Sequence, residues 1–406
     1  MVNESSFLTM HNLQRRKENS EEYLIGRTDE SNFVILPNIA IEIIDLYDQQ
    51  LTTSDISKIM QERGIEVDVL DFAENLVNDL QFVYKVDGVI INDVVEDKSH
   101  FKNLSPTVSR LLFSNFAYFI YILFLLVGMC ICISNTTFIP TYQDIFVFDS
   151  ISSSIIFATL LGWILIFKHE FAHLMAAKSL GINSRIGLGH RLVFPVVETD
   201  MSNIVLLPHN KRYRALLAGM AWDGALFGIG VVFLLLNTIG IEMNIVLLNI
   251  IKLINLHCVL AIAFQFMFYL ETDMYYVFTT YFKCNNLLHN TRLYIRKLTK
   301  RISKEQTIEL QNIDQYEKKI MQKYVWFYLL GVIWAIGIFI IVSIPALLKF
   351  LSIAIMKALH SNILSIAFWD ALIFIAISSI PTGILIYSWI KTWKSNRVSN
   401  RPISLD

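Results

Sequence analysis

The densest chemistry in this chain of 406 residues lies in six consecutive positions, Lys168-His169-Glu170-Phe171-Ala172-His173. Two histidines four apart on an α-helix share one face, about one turn apart. Their ring nitrogens can therefore aim at one tetrahedral ion such as Zn²⁺. Glu170 follows the first histidine and projects beside that ion rather than into its shell. From there it can take a proton from a water the ion has acidified. The same HExxH spacing occurs by chance on many solvated helices, where it costs nothing. Here Ile151 to Phe167 runs into it as about 17 uncharged, mostly apolar residues, and Leu174-Met175-Ala176-Ala177 follow it. Two imidazoles and a carboxylate are costly in hydrocarbon, and metal chemistry inside a membrane is the simplest reason for them.

A catalytic zinc takes three protein ligands and leaves one position open for water. The candidates for the third are His190, Asp200, His209, Asp223, His257 and Asp273. Asp273 is preferred because it follows an apolar span at the depth expected for His169. His257 lies about sixteen residues higher, towards the other leaflet. Asp223, in Ala218-Gly219-Met220-Ala221-Trp222-Asp223-Gly224, sits inside a span and competes for the role. Its other reading, and that of Asp200, is a substrate-positioning group; small neighbours would also suit Asp223 to helix packing. Asp370 is a further carboxylate inside an apolar run, without an assigned role.

The elements that must position these residues are those of a membrane protein. The chain is 54% apolar and 17% charged, against about 45–50% and 25% for a soluble domain. Six spans of about 20 residues are expected, near 110–133, 151–178, 214–236, 244–270, 324–348 and 364–390. The loops 134–150 and 237–243 carry no Lys or Arg, whereas 179–213 has Arg185, Arg191, Lys211 and Arg212, and 271–323 has ten basic residues. The tail adds Lys391, Lys394, Arg397 and Arg401; Lys349 and Lys357 run against the trend. By the positive-inside rule both termini are cytoplasmic in a multi-pass protein of the cell membrane. His169 then lies roughly 25 Å down the second span at 1.5 Å per residue, in the inner third of the bilayer.

Ahead of the spans, residues 1–20 read as a flexible lead without the basic-then-apolar pattern of a signal peptide, which keeps the following domain in the cytoplasm. Residues 21–98 read as a small α/β domain: two strands at Tyr23–Arg27 and Phe33–Leu36, helices over 38–47, from Thr52 or Thr53, and over 67–80, and a hairpin through Asp87-Gly88, the strongest short turn signal. Three helices and a terminal hairpin make a winged helix. The zinc core is expected over 105–300, a cytoplasmic linker over 301–323, and C-terminal helices with a basic tail over 324–406. A net charge of −1 gives no reason to expect a nucleic-acid partner. Cys130, Cys132, Cys258 and Cys284 include no CxxC pair, so neither a disulfide framework nor a thiolate metal site is expected.

The membrane part resembles the site-2-protease family of intramembrane zinc metalloproteases, and within it the peptide zinc metalloprotease branch. The resemblance rests on His169-Glu170-Phe171-Ala172-His173-Leu174-Met175-Ala176-Ala177, on Asp200-Met201-Ser202 with Leu206-Leu207-Pro208 and Ala218-Gly219, and on Thr272-Asp273-Met274-Tyr275-Tyr276. It covers about residues 110–300. Met274 stands where the family usually has Gly, and Met220-Ala221-Trp222-Asp223 where Gly-Pro and a later Asn are commoner. The resemblance implies one Zn²⁺ per chain on His169, His173 and Asp273, Glu170 as the catalytic acid–base, and a peptide or transmembrane-segment substrate. The N-terminal domain is similar in pattern to PqqD-like winged helices, which implies capture of a ribosomally made precursor by strand addition. A reading of another class is a membrane binding or export subunit that keeps the metal site without proteolysis. Against it, Glu170 is retained, and a structural zinc prefers four protein ligands.

Overall fold

The structure is a computed structural model; it describes residues 2–93, 101, 103–191, 194–284, 286–338, 340, 344–377, 379 and 383. The chain divides into two compact units. One comprises Met1–Ser105 with Leu180–Arg185 and Asp200–Arg212; the other comprises Pro106–Ser179, Ile186–Thr199 and the chain from Tyr213 on.

The first unit holds six strands, β1 (Leu8–Met10), β2 (Leu13–Lys17), β3 (Glu22–Arg27), β4 (Asn32–Pro37), β5 (Val83–Val86) and β6 (Val89–Ile90), in two antiparallel sheets ordered β1-β5-β6 and β2-β3-β4. Residues 8–17, expected as a flexible lead, are thus two strands. Their alternation is too short and too polar to stand out, and only pairing with β5 and β3 defines them. Three helices, α1 (Asn38–Asp48), α2 (Thr53–Glu62) and α3 (Val69–Asn78), follow the expected spacing. Thr52 caps α2 by accepting Asp55 N–H, and Asp68 caps α3 by accepting Leu70 and Asp71 N–H. Their apolar faces, with Ile56, Met60, Ala73 and Leu76, close on Ile25, Ile43, Tyr47 and Phe82. At the β5–β6 turn Asp87 and Gly88 both have positive φ, 50° and 80°, as a two-residue hairpin of matching twist requires. The Asp87 carboxylate also accepts Phe7 N–H at 2.8 Å, which ties down β1. The 200–212 segment, expected as a loop between spans, belongs to this unit: Asn203 donates to the Thr28 carbonyl at 3.1 Å and His209 Nε2 lies 3.3 Å from Glu18.

The buried centre of polarity here is Arg27, which is 0% exposed. It donates to both oxygens of Asp29, at 3.1 and 2.6 Å, and to the Gln81 carbonyl at 2.9 Å.

In the second unit α4 (Pro106–Leu112) precedes α5 (Asn115–Ser134), α6 (Ile151–Ser179), α7 (His209–Leu216, whose start lies in the first unit), α8 (Ala218–Thr238), α9 (Ile245–Gln265), α10 (Asp273–Phe282), α11 (Leu287–Leu298), α12 (Lys304–Asn312), α13 (Gln315–Ile338), α14 (Ile344–His360) and an apolar helix α15 (Ile366–Ile377). Five of these, α5, α6, α8, α9 and α13, are long and apolar enough to cross a membrane, and this is a helical membrane protein with a small N-terminal sheet domain. The fourth span stops at Gln265 rather than 270, because the chain breaks into a 3-10 turn (Phe268–Leu270) and Glu271 takes left-handed backbone, φ 54°. The 301–323 linker is largely α12 and the start of α13, and a helix, α14, lies between the fifth and last apolar runs. Of the expected 364–390 span, Ile366–Ile377 is a described helix; most of the remainder and the basic tail lie outside the described residues. The 179–213 loop carries a two-stranded ribbon, β7 (Arg185–Arg191) with β8 (Phe194–Asp200).

Helix α8 is the innermost span: half of its apolar window is buried, against 11–28% for the others. Lipid tails are as apolar as leucine, so helices in a bilayer associate by close packing of small residues. Gly224 and Gly228, four apart, face Leu125 and Phe124 of α5, and a Cβ on Gly128 of α5 would sit 2.8 Å from the Gly228 Cα. A Cβ on Gly228 would overlap the Phe124 carbonyl.

Gly228→Ala should cost about 1–3 kcal/mol by overpacking. Buried Cys132 and Cys258 allow melting in detergent to be followed with a thiol-reactive dye. Gly337→Ala, in open space, is the control and should melt like wild type. A second expectation concerns acid. Burial pushes the Asp29 carboxyl up, but the hydrogen bonds and charge of Arg27 outweigh it and hold it below the usual range. Its contribution is full above the unfolded carboxyl's value near 4 and is lost as pH falls through the lower folded value. Arg27→Met should destabilise the first unit at pH 7 by about 3 kcal/mol, the low end for a broken buried pair, and should flatten its loss of stability between about pH 4 and 2. Hydrogen exchange on the intact chain reads both.

Candidate metal centre

Three side chains meet at the C-terminal third of α6. His169 Nε2 and His173 Nε2 each lie 3.0 Å from Asp273 Oδ2, and 3.2 Å from one another. Both histidines are buried, 6% and 1% exposed. Bonds of about 2.0–2.1 Å in a tetrahedral zinc site put neighbouring donor atoms roughly 3.3 Å apart. The three atoms are spaced for such an ion within a few tenths of an ångström.

The backs of the two rings decide what the front atoms carry. His169 Nδ1 lies 2.6 Å from Asp223 Oδ2, and His173 Nδ1 lies 2.8 Å from the Ala215 carbonyl. Neither acceptor has a proton to give, so in each ring Nδ1 is the N–H and Nε2 is left with its lone pair. Two nitrogen lone pairs and a carboxylate oxygen then converge within 3.2 Å. Protonating both rings would satisfy Asp273 but set two imidazolium charges side by side. One divalent cation satisfies all three donors, and the donor set of two imidazoles and a carboxylate suits zinc.

The fold delivers each part for a stated reason. Positions 169 and 173 are one turn apart on α6. Gly219 and Asp223, also four apart, present one face of α8 to His169; a Cβ on Gly219 would overlap its ring. Lys168 Nζ sits 2.6 Å from Asp223 Oδ1 and so neutralises the carboxylate that His169 needs. Asp273 is brought in by the break after α9, as the first residue of α10. Its N–H donates to Gln265 Oε1 at 3.0 Å, Thr272 Oγ1 donates to the Gln265 carbonyl at 2.6 Å, and Gln265 Nε2 lies 3.3 Å from His169 Nε2. Glu170 is half-buried beside the cluster. Its carbonyl accepts Thr199 Oγ1 of β8 at 2.8 Å, and its carboxylate is not among the three clustered donors.

Of the other sequence candidates, Asp223 supports a ligand from behind rather than joining the cluster. Asp200 is engaged by Ser202 N–H at 3.1 Å, Ser202 Oγ at 2.7 Å and Arg185 at 3.1 Å. His209 pairs with Glu18, and His257 donates to the Leu253 carbonyl at 3.0 Å and packs against Gly162. The His190 side chain lies outside the described residues. Three contributors were missed in the sequence: Lys168 as the counter-charge of Asp223, the Ala215 carbonyl and Gln265. The Ala215 carbonyl leaves no trace there. Gln265 does: an amide inside Ala261-Ile262-Ala263-Phe264 and Phe266-Met267-Phe268 is costly in hydrocarbon and flags itself.

The fold and the cluster together define a helical membrane protein with a His/His/Asp centre able to hold a metal ion. No family model matches the chain, and neither does any curated protein or solved structure.

Asp223→Asn should weaken metal binding about 10- to 100-fold, because its amide no longer enforces the His169 tautomer. Asp273→Ala should lose stoichiometric metal. Chelator competition and elemental analysis of the purified chain check both; full retention of zinc in Asp273→Ala would remove it from the ligand set.

Proposed function

We propose that the chain is an intramembrane zinc metallopeptidase of the site-2-protease type. Its substrate would be a membrane-associated or ribosomally made precursor peptide. The observation that carries this reading is the half-buried Glu170 next to three converging donor atoms in an apolar helix. A structural metal site needs no free carboxylate there, and a hydrolytic one does.

A bound Zn²⁺ supplies Lewis-acid polarisation of the scissile carbonyl and lowers the pKa of water at the site. His169, His173 and Asp273 would hold it. Glu170 takes the proton from the attacking water and returns it to the leaving amine nitrogen. Asp223, with Lys168 as its counter-charge, keeps the His169 lone pair directed inward. Gln265 Nε2 offers a hydrogen-bond donor for negative charge developing on the substrate oxygen. A helical substrate has to unwind first, because its carbonyls are already hydrogen-bonded within the helix.

The positive-inside rule supports cytoplasmic termini and water reaching the centre from that side. In this reading the N-terminal unit is a PqqD-like winged helix that brings the precursor by strand addition. Its small sheets and exposed Val89 and Ile90 on the edge strand β6 are compatible with that.

The test compares wild type with Glu170→Gln in detergent or proteoliposomes, on candidate precursor peptides, with products read by mass spectrometry. The variant should keep its zinc and lose about 10²- to 10⁴-fold in cleavage rate, the usual worth of a positioned acid–base. The same products at equal rates from both proteins would defeat the peptidase reading.

A further inference from the structure

Helix α6 carries both histidines, and its far end is held by a residue from the last described helix. Asp370 of α15 is 5% exposed. Its carboxylate accepts Ile151 N–H at 3.3 Å, Ser152 N–H at 2.9 Å, Ser150 Oγ at 2.7 Å and the Ser152 hydroxyl. Lys357 of α14 completes the cluster at 3.1 Å from Asp370 Oδ2.

A helix leaves its first N–H groups without intrahelical partners. In α6 the first intrahelical bond runs from Ser154 N–H to the Ser150 carbonyl at 3.1 Å. Ser150 Oγ takes Ser153 N–H at 3.1 Å. Asp370 takes the two that remain, those of Ile151 and Ser152. It also places a negative charge where the helix dipole is positive. A local Ser or Asp cap would have served for hydrogen bonding alone. This one comes from 218 residues along the chain and brings its own lysine.

We propose that Asp370 is a positioning residue for the metal centre. It pins the outer end of α6 to α14 and α15, and so sets how far along its axis the helix presents His169 and His173 to Asp273. The lever is stiff. Between Ile151 and His169 the helix has no proline, and its one glycine, Gly162, is packed against His257. A rise of 1.5 Å per residue carries an axial slip at Ser152 to His169, about 25 Å away, with little attenuation. The three donors tolerate only tenths of an ångström. The C-terminal helices are therefore part of the centre's scaffold. This inference rests on reading the cluster as a metal centre, and not on any peptidase activity.

The test uses the full chain in detergent loaded with Co²⁺, whose visible d–d bands report coordination geometry. Wild type should show the intense bands of a tetrahedral site. Asp370→Ala should shift or weaken those bands and release the metal to a chelator about 10-fold more readily, the low end for residues that support ligands. Asp370→Asn should fall between the two. Ser152→Ala and Lys357→Gln, milder changes, should move the bands in the same direction by less, and they keep the test open if Asp370→Ala does not fold. Leu234→Ala, in the α8 core, is the control: it should lower the melting temperature and leave the bands in place. Asp370 variants that melt early but keep wild-type bands and metal retention would overturn the positioning role and leave the metal centre standing. A wild-type chain that takes up no Co²⁺ would overturn the metal centre itself, and this inference with it.

Discussion

Everything in the second unit answers to one electrostatic constraint: three electron-pair donors held within 3.2 Å of one another in an apolar surround. Burying an uncompensated charge is far more costly than burying a paired one. Lys168 compensates Asp223 at 2.6 Å, which leaves the Asp273 carboxylate facing the two imidazoles. A divalent cation supplies positive charge there and relieves the lone-pair convergence at the same point.

The helices are arranged so that no single one can make the site. Helix α6 gives two of the donors, and the break after α9 gives the third. Helix α8 gives the glycine that lets the His169 ring in and the carboxylate that sets its tautomer. Helix α7 gives the carbonyl for His173. Small residues do the structural work because only they let α8 approach its neighbours closely enough. The break after Gln265 has a cost, a left-handed Glu271 and the end of a helix within an apolar run. It is held by Gln265, whose carbonyl, amide oxygen and amide nitrogen each have a partner in the turn or the cluster.

How far the sequence shows this depends on whether a residue's meaning is local. The convergence of His169 and His173 was legible because both its signals, spacing of four and apolar flanks, are carried by neighbours in the chain. The Asp87-Gly88 hairpin and the cap at Thr52 were legible for the same reason, and Asp273 through the order and depth of the spans. Asp223 was visible as an anomaly, a carboxylate inside a span, but its role was not, because that depends on which side of the His169 ring α8 passes. The strands over 8–17 exist only through pairing with β5 and β3, and β7 and β8 only through pairing with each other. The Ala215 carbonyl is a backbone group and has no side-chain signature. Asp370 belongs with Asp223: its cost could be read in the sequence, its partners could not.

Four polar residues in apolar helices, Lys168, Asp223, Gln265 and Asp370, are each engaged by a group from a different helix. In water such residues are ordinary, and their partners are optional. In hydrocarbon the unpaired state is unfavourable enough to favour a partner strongly. The preference is not a law: His257 is satisfied within its own turn, and the buried amide of Asn255 has no hydrogen-bond partner among the described residues. Asp223 and Gln265 converge on His169, Lys168 neutralises Asp223, and Asp370 holds the far end of the helix that carries His169. These four residues thus bear, directly or through α6, on the position of three donor atoms.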